Sequence, residues 1–295
     1  MNAREAGFLL LTSELGVPGR KTLTIPQLRT LAQRVKQANW ENLERDMEVE
    51  DLLSIGYSRE MAQRILILLE DYALLEYYCQ RGKKRECYPL SRVSEDYPQR
   101  LLRTLGPESP GCLWYKGDVN LLSLPAVSLV GSRDILPENR DFAQEVGRQA
   151  AAQGYVLVSG NARGADQAAQ NACLEAGGKV ISVVADALAD HAARENLLYI
   201  SEDDFDAPFS AQRAISRNRI IHALGQFTFV AQSGYQQGGT WDGTVKNLRF
   251  GWSNVYCFAD GSPASRLLEE MGAQSLEICQ LTNFASLPKP VAGLF

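Results

Sequence analysis

The sequence predicts an α/β fold, in which a doubly wound, mainly parallel sheet is preceded by a small all-helical domain. Short apolar runs rich in β-branched residues recur between residues 121 and 272. The first two runs, at 126–130 and 155–158, each lead into a Gly-rich loop and then into a helical pattern. Strands that alternate with helices in this way form parallel sheets with right-handed crossovers. Such a sheet is Rossmann-like, and its ligands bind at the carboxyl ends of the strands.

Each element of the sheet domain has its own sequence signal. Pro137 opens the first helix, in which Phe142, Val146 and Ala150 recur four residues apart on one face. Gly154 ends that helix, and the second predicted strand follows at once. The remaining strands are predicted at 180–184, 198–200, 227–231 and 255–258, and later helices at 210–224, 241–250 and 263–271.

The chain divides into four predicted regions, because the pattern changes on either side of the sheet. These are a helical domain at 1–88, an extended Pro-rich connection at 89–120, the sheet domain at 121–272 and a C-terminal tail at 273–295. Residues 113–117 are expected to add an edge strand. Helices are predicted at 3–15, from residue 25, at 48–55 and at 58–78. Residues 52–58 fit either a helix–hairpin–helix DNA module or part of a helical interaction bundle.

Composition excludes several classes of protein. No apolar run approaches the roughly 20 residues that span a bilayer, so we expect no membrane segment. Six scattered cysteines without C-x-x-C spacing, and only two histidines, predict no metal and no cofactor. The start of the chain has no basic segment leading into an apolar core, so we expect no signal peptide and a cytoplasmic location. The net charge of −5 gives no overall attraction for nucleic acid, so any polyanion site must be local.

Three Gly-rich loops follow strands at the same predicted edge and form candidate phosphate sites. A helix N-terminus has N–H groups without partners and the positive end of the helix dipole, and glycine lets a phosphate approach it. One such loop is weak evidence, because glycine also marks any tight turn between strand and helix. Three loops, two of which carry an arginine, favour a phosphate-bearing ligand. Their candidate phosphate-binding residues are Gly131, Ser132, Arg133, Ser159, Gly160, Arg163, Gly164, Gly238, Gly239 and Thr240.

The predicted helix at 210–224 adds four candidate contacts for a nucleic-acid backbone, namely Arg213, Arg217, Asn218 and Arg219. Arg213 and Arg217 are four residues apart and share a face, whereas Arg219 is turned well away from them. The alternative is a solvated Arg-rich helix, with an arginine paired to one of the acidic residues Asp203, Asp204 and Asp206.

Aromatic and acidic side chains near these loops each leave two interpretations open. Phe209, Tyr235 and Trp241 either stack on bases or belong to the core and its rim. The acidic cluster at 202–204 either holds a metal or a proton-transfer pair, or caps the next helix. No Walker loop, no G-x-G-x-x-G motif and no nucleophile with a supporting base is present. We therefore predict no catalytic residues.

Several motifs occur together in a specific order and spacing. They are Tyr97-Pro98 with Arg100-Leu101, Val130-Gly131-Ser132-Arg133, Ser159-Gly160-Asn161-Ala162-Arg163-Gly164-Ala165-Asp166, Ile200-Ser201-Glu202 and Arg217-Asn218-Arg219-Ile220-Ile221. Over roughly residues 90–260 this set resembles the DprA/Smf family of DNA-processing proteins. The resemblance implies a non-enzymatic protein whose extended Rossmann domain binds single-stranded DNA in DNA uptake or recombination. It also implies protection of single strands, a RecA-type recombinase as a partner, and a homodimer formed through the Rossmann domain.

The sequence departs from the family pattern at identifiable positions. Gln170 stands where the family usually has a histidine, and Phe258-Ala259-Asp260-Gly261 replaces Val-Pro-Gly. Gly238-Gly239-Thr240 replaces the family's Ser-Gly-Ser-Leu and resembles the phosphate loop of the LOG nucleotide-processing proteins. The alternative function is therefore a sensor of a nucleotide-derived small ligand, or a LOG-like phosphoribohydrolase for which Asp242 is the one available carboxylate.

Overall fold

The computed structural model describes residues 1–40 and 45–288, and a single sheet lies at the centre of the protein. In chain order the strands of these described residues are β1 (Tyr88–Ser91), β2 (Cys112–Lys116), β3 (Ala126–Val130), β4 (Val156–Ser159), β5 (Lys179–Val183), β6 (Leu197–Ser201), β7 (Phe227–Val230), β8 (Asn254–Phe258) and β9 (Gln274–Leu276). Their order across the sheet is β1-β2-β6-β5-β4-β3-β7-β8-β9. Strands β3 to β9 all run parallel to one another, and among the described strands the antiparallel pairs are β1–β2 and β2–β6. The predicted mainly parallel sheet is confirmed.

The chain reverses its direction across the sheet at β3. Ser128 of β3 pairs with Val158 of β4 on one side and with Thr228 of β7 on the other. The chain thus proceeds outward from β3 to β6, then returns to β7 and proceeds outward the other way to β9. In open α/β sheets such a switch point leaves a crevice at the carboxyl ends of the two central strands. The loops after β3 and β7 therefore flank a natural ligand site.

Helices cover both faces of the sheet, as a doubly wound fold requires. In the described residues they are α1 (Ala3–Thr12), α2 (Ile25–Gln37), α3 (Val49–Ser54), α4 (Arg59–Glu70), α5 (Tyr72–Lys84), α6 (Gln99–Leu105), α7 (Pro137–Ala152), α8 (Ala165–Glu175), α9 (Ala211–Ser216), α10 (Asn218–Leu224), α11 (Gly238–Phe250) and α12 (Pro263–Glu270). Helices α7 and α8 share one hydrophobic core with the sheet, and α6, α10, α11 and α12 share a second core on the opposite face. Phe142, Val146 and Ala150 of α7 are fully buried, as their spacing predicts.

Two predicted helices are each divided in the structure. The segment predicted as one helix at 58–78 forms α4 and α5, which meet at Asp71. The Asp71 carboxylate is held there by Arg20, 3.1 Å away, so a contact with a distant part of the chain fixes the break. The segment predicted as one helix at 210–224 forms α9 and α10, and Arg217 lies between them. The side chain of Arg217 is buried and donates a hydrogen bond to the end of β5.

The connection at 89–120 is more ordered than its proline content predicts. It contributes β1, the short helix α6 and β2, and β2 pairs with β6 as the expected edge strand. Tyr97 is fully buried and its hydroxyl donates to the carbonyl of Pro110, 2.8 Å away. Arg100 of α6 donates to the carbonyl of Gly225 at the end of α10, which packs on the same face of the sheet. The prolines thus mark turns within a folded segment rather than an open linker.

The N-terminal helices pack directly on the sheet domain. The Tyr78 ring lies 5.4 Å from Trp114 of β2 and 4.6 Å from Phe205, between ring centroids. The Tyr78 hydroxyl and the Arg81 guanidinium both donate to Asp206, and the Ser13 hydroxyl donates to Asp204. Helices α1 and α5 consequently belong to the same hydrophobic cluster as β3 and α7. The division of the chain at residue 88 stays a prediction.

Candidate nucleic-acid interface

A cleft of about 430 Å³ opens at the switch point of the sheet, and we call it the switch-point cleft. Its walls come from the loop after β3, the start of α8, the α9–α10 segment and the first turn of α11. The residues that line it include Gly131, Ser132, Arg133, Ala162, Asp166, Phe209, Ile215, Arg217, Asn218, His222, Gly238, Gly239 and Thr240. Residues from all three predicted loops therefore meet in one place.

The loop after β3 presents Arg133 to solvent. Its Ser132 hydroxyl accepts from the Asp134 N–H at 3.2 Å and donates to the Asp134 carbonyl at 3.0 Å, so it shapes the loop locally. Helix α7 begins at Pro137, as predicted, so residues 131–133 lie in the loop ahead of the helix and not in its first turn. The Arg133 guanidinium has no ion-pair partner among the described residues, and it lies 5.9 Å from the centroid of the Phe209 ring. It is thus a cation available at the mouth of the cleft.

The loop after β4 is closed by a carboxylate from its own helix. Oδ2 of Asp166 accepts from the N–H groups of Gly160 and Ala162, at 3.2 Å each. These two N–H groups are therefore occupied, whereas the loop was predicted to offer free donors. Gly164 has a φ of +90°, and a Cβ there would overlap the backbone of the loop after β3. Glycine is thus needed where these two loops touch.

Arg163 projects from the same loop into solvent. Its guanidinium pairs with the Asp134 carboxylate at 2.7 Å, and the two side chains are 74% and 89% exposed. Ion pairs this exposed contribute little to stability and exchange readily with other partners. Arg163 lines the same surface as Arg133, so it can exchange its weak ion pair with Asp134 for an anion bound there.

Arg217 is buried beneath the cleft, with 6% of its surface exposed. Its Nη1 donates to the carbonyl of Val183 at the end of β5, 2.6 Å away. Burial lowers the pKa of the Arg217 guanidinium, and the nearby Asp166 carboxylate opposes that shift. Burial likewise raises the pKa of Asp166, and the charge of Arg217 opposes it. The two groups form the polar floor of the cleft, so a solvated Arg-rich helix does not describe Arg217.

The other two arginines of this segment are held by acidic residues. Arg213 lies 3.3 Å from the Asp203 carboxylate, as the alternative interpretation of this helix anticipates. Arg219 lies 2.6 Å from the Glu202 carboxylate, and both of those side chains are largely buried. The acidic cluster after β6 therefore anchors α9 and α10. In the described residues no group of three or more histidine, cysteine or acidic side chains is placed to hold a metal ion.

The third loop supplies a helix N-terminus, and it begins earlier than predicted. Helix α11 starts at Gly238, so Gly238, Gly239 and Thr240 form its first turn. The Thr240 hydroxyl donates to the Gly131 carbonyl at 3.0 Å, and the Asn218 side chain donates to the Gly239 carbonyl at 3.0 Å. The first N–H groups of a helix have no partner within it and attract anions. Bonds to Gly131 and Asn218 thus hold this first turn in place, and the turn lines the cleft.

The three aromatic residues near the loops have different positions. Phe209 is 56% exposed and lines the cleft, and Tyr235 is 52% exposed. Trp241 is 8% exposed and belongs to the hydrophobic core, with its ring 6.3 Å from that of Tyr235. Phe209 and Tyr235 therefore provide open ring surface, and Trp241 does not.

Two polar residues of the site were not singled out from the sequence. Asp166 organises the loop after β4, and its place in the first turn of a helix after a glycine loop is a usable signal. His222 is fully buried beside the cleft, where its Nδ1 lies 3.1 Å from the Asn247 amide. Burial lowers its pKa to about 3. A lone histidine within an apolar run gives no such signal in sequence.

The comparisons with known proteins fit this geometry. The family model of DNA recombination-mediator protein A matches residues 89–245, which contain the cleft residues named above. The chain belongs to this family. The DprA/Smf resemblance carried by the sequence motifs is therefore confirmed.

Individual DprA proteins align over much of the chain. The DNA processing protein DprA of Streptococcus pneumoniae is 28% identical over 210 residues, covering 67% of this chain and 71% of that relative. The DprA of Bacillus subtilis is 30% identical over 157 residues, covering 49% of this chain and 52% of that relative. The chain thus spans about half the length of the latter.

Solved DprA structures share the fold. The X-ray structure of DprA from S. pneumoniae gives a TM-score of 0.69 at 23% identity and covers 90% of this chain and 99% of that one. The structure of DprA from Helicobacter pylori, described for its single-stranded DNA binding mode, gives a TM-score of 0.57 at 22% identity. It covers 68% of this chain and 95% of that one. In the part of the DprA-family chain described here, no helix is long and apolar enough to cross a membrane.

Proposed function

We propose that this DprA-family protein binds single-stranded DNA in the switch-point cleft and acts in DNA processing during uptake or recombination. The observation that carries the proposal is the position of Arg133. It is an exposed cation without an ion-pair partner in the described residues, and it lines the same cleft as the open ring of Phe209 and the first turn of α11. The description of the H. pylori relative as a single-stranded DNA binder supports the choice of ligand.

The chemistry of the cleft suits a single strand better than a duplex. A guanidinium and a helix N-terminus bind phosphate without reading base edges. An exposed aromatic ring stacks on any unpaired base, and this contact is unavailable while the base is inside a duplex. We therefore propose binding with little sequence preference, in which Arg133 and Arg163 contact phosphates and Arg217 supports the cleft from below.

A second candidate is a nucleotide-derived small ligand held at the first turn of α11. The observation that favours it is the pair Gly238 and Gly239, which add no side chains of their own to the first turn of α11. Hydrolysis of such a ligand needs a carboxylate at the sugar. Asp242 is exposed on α11 and is not among the residues that line the cleft. We therefore propose a binding protein without catalytic activity.

The same proposal includes protection of the bound strand and its presentation to a RecA-type recombinase in the cytoplasm. It also includes a homodimer formed through the sheet domain. The names of the relatives as DNA processing proteins support the DNA-processing role within which these steps would occur. Sedimentation of the free protein, and co-sedimentation with a purified recombinase and single-stranded DNA, test the two partners separately.

The decisive experiment compares the salt dependence of binding for wild type and Arg133→Ala. On a plot of log binding constant against log salt concentration, a labelled oligothymidylate should give a slope of about −0.7 per neutralised phosphate. The variant should lose about one phosphate contact, so its slope should be flatter by about 0.7. Arg103→Ala is the matched control, because Arg103 is exposed at the opposite, amino-terminal edge of the sheet. Duplex of the same sequence should bind more weakly.

Two results would contradict the proposal. One is equal affinity for single strand and duplex. The other is a flat salt dependence together with complete competition by a mononucleotide, which would favour the small-ligand candidate, because donors of a single helix N-terminus bind one phosphate only.

A further inference from the structure

A second concave surface adjoins the switch-point cleft and lies between two helices of the sheet domain. It has a volume of about 690 Å³, and we call it the α7–α8 groove. Its polar lining residues are Arg133, Asp134, Arg140, Gln144, Arg148, Arg163, Gln167, Asn171 and Glu175. Arg133 lines both the groove and the cleft, so the two surfaces are continuous.

The groove carries positive charge on a protein whose net charge is −5. Its lining has four arginines and two acidic residues, Asp134 and Glu175. Asp134 is already paired with Arg163, and Arg148 is paired with Glu145 at 2.8 Å. In the described chain neither Arg133 nor Arg140 has an ion-pair partner. The local excess of cations therefore has a sign opposite to that of the whole protein and favours a polyanion.

The polar side chains of the groove are arranged in two rows. Arg140, Gln144 and Arg148 recur every four residues on α7, so they lie one above another on one face. Gln167 and Asn171 have the same spacing on α8. The two arginines of the α7 row are separated by about 12 Å along the helix. The side-chain amide N–H groups between these cations can donate hydrogen bonds to sugar and phosphate oxygens. The rows thus form a track that leads away from Arg133.

We infer that the α7–α8 groove is a second binding site for single-stranded DNA, which carries the strand out of the cleft past Arg140 and Arg148. This inference rests on the proposed function, because it extends the path of the same ligand. A strand that occupies only the cleft contacts Arg133, and a longer strand also contacts the α7 row. Affinity should therefore rise with oligonucleotide length until the groove is filled.

The experiment measures binding of a short and a long labelled oligothymidylate, of about 5 and about 15 nucleotides, within the range of known single-strand sites. The double variant Arg140→Ala/Arg148→Ala should leave binding of the short strand unchanged. It should weaken binding of the long strand. Because two phosphate contacts are lost, the slope of log binding constant against log salt concentration should be flatter by about 1.4. Glu175→Gln, which removes an acid from the groove, should tighten binding of the long strand only.

The control is the double variant Arg29→Ala/Lys36→Ala, which makes the same change of charge on exposed positions of α2. All four altered cations are exposed, so the thermal unfolding temperature of both double variants should be close to that of the wild type. The inference is overturned if the groove variant binds the long strand as wild type does while Arg133→Ala weakens both strands. If Arg133→Ala has no effect on the short strand, the proposed function fails, whatever the groove variant does.

Discussion

The guanidinium of Arg217 lies directly against the α-carbon of Gly160, so that a Cβ at position 160 would overlap it. Gly160 lies in the loop after β4, whereas Arg217 lies at the junction of α9 and α10. Gly160 is also held by the Asp166 carboxylate through its N–H group. One packed unit under the cleft therefore consists of Gly160, Arg217 and Asp166. Gly160 leaves room for the guanidinium and donates to the carboxylate, and the two buried charges offset each other.

The first prediction concerns Gly160→Ala. The added methyl group must displace the guanidinium and its bond to Val183, so the variant should lose about 1–3 kcal/mol of unfolding free energy, the usual cost of overpacking. Urea denaturation measures this loss. Gly7→Ala is the matched control, because a Cβ there meets only Leu69 at 4.0 Å. An equal effect of the two substitutions would contradict the packing argument.

The second prediction concerns the buried charges of Arg217 and Asp166. Arg217→Ala leaves the carboxylate buried beside no cation, which should cost about 3–5 kcal/mol of unfolding free energy. Adding Asp166→Asn removes that charge, so the double variant should lose less than the sum of the two single variants. Strict additivity in this double-mutant cycle would show that the two groups do not interact.

The third prediction concerns stacking on Phe209. Phe209→Ala should weaken binding of single-stranded oligothymidylate by about 1–3 kcal/mol, the usual contribution of one stacked base. Its unfolding free energy should change by less than about 0.5 kcal/mol, because the ring is exposed. Phe209→Tyr should retain binding. Tyr72→Ala is the control, since Tyr72 is also exposed but lies on α5. Unchanged affinity in Phe209→Ala would remove the ring from the site.

The fourth prediction concerns the pH dependence of stability. Burial lowers the pKa of His222 to about 3 in the folded protein, below its ordinary value of 6.5. The unfolded chain therefore takes up a proton at a higher pH than the folded chain, and stability falls as pH decreases from 6.5 towards 3. The largest slope is about 1.4 kcal/mol per pH unit.

Comparison with His222→Gln isolates this effect, because other groups titrate in the same range. Burial raises the pKa of Asp203 to about 6, so its contribution acts in the opposite direction and decreases as pH rises. That contribution is common to wild type and variant. The difference in unfolding free energy between them should therefore depend on pH below 6.5, and a constant difference would contradict the assignment.

The sheet could be predicted because its central strands are continuous apolar runs, and a strand buried on both faces leaves that pattern in the sequence. Strand β1 and helix α6 were not predicted, since they lie in a segment whose prolines dominate its local pattern. The breaks at Asp71 and Arg217 depend on contacts with Arg20 and with the carbonyl of Val183. Such contacts join residues far apart in the chain, so the local pattern of apolar residues does not predict them.

In the site, too, the position of the loops could be predicted from the sequence, whereas the exposure of individual arginines could not. The sequence predicted that three glycine loops meet at one edge, because parallel strands place their carboxyl ends together. It did not predict which arginines are exposed. Arg133 and Arg217 look alike in sequence, yet one faces solvent and the other is covered, because only Arg217 lies against a glycine and a carboxylate from another loop.

The contact of Tyr78 with Trp114 and Phe205 has a practical consequence for any attempt to shorten the protein. A fragment that begins after α5 would expose those two rings to water and leave the carboxylate of Asp206 without Tyr78 and Arg81. Large apolar rings laid bare beside a sheet edge promote self-association. Binding measured on such a fragment would report aggregation as readily as recognition, so a shortened protein should keep α1 and α5.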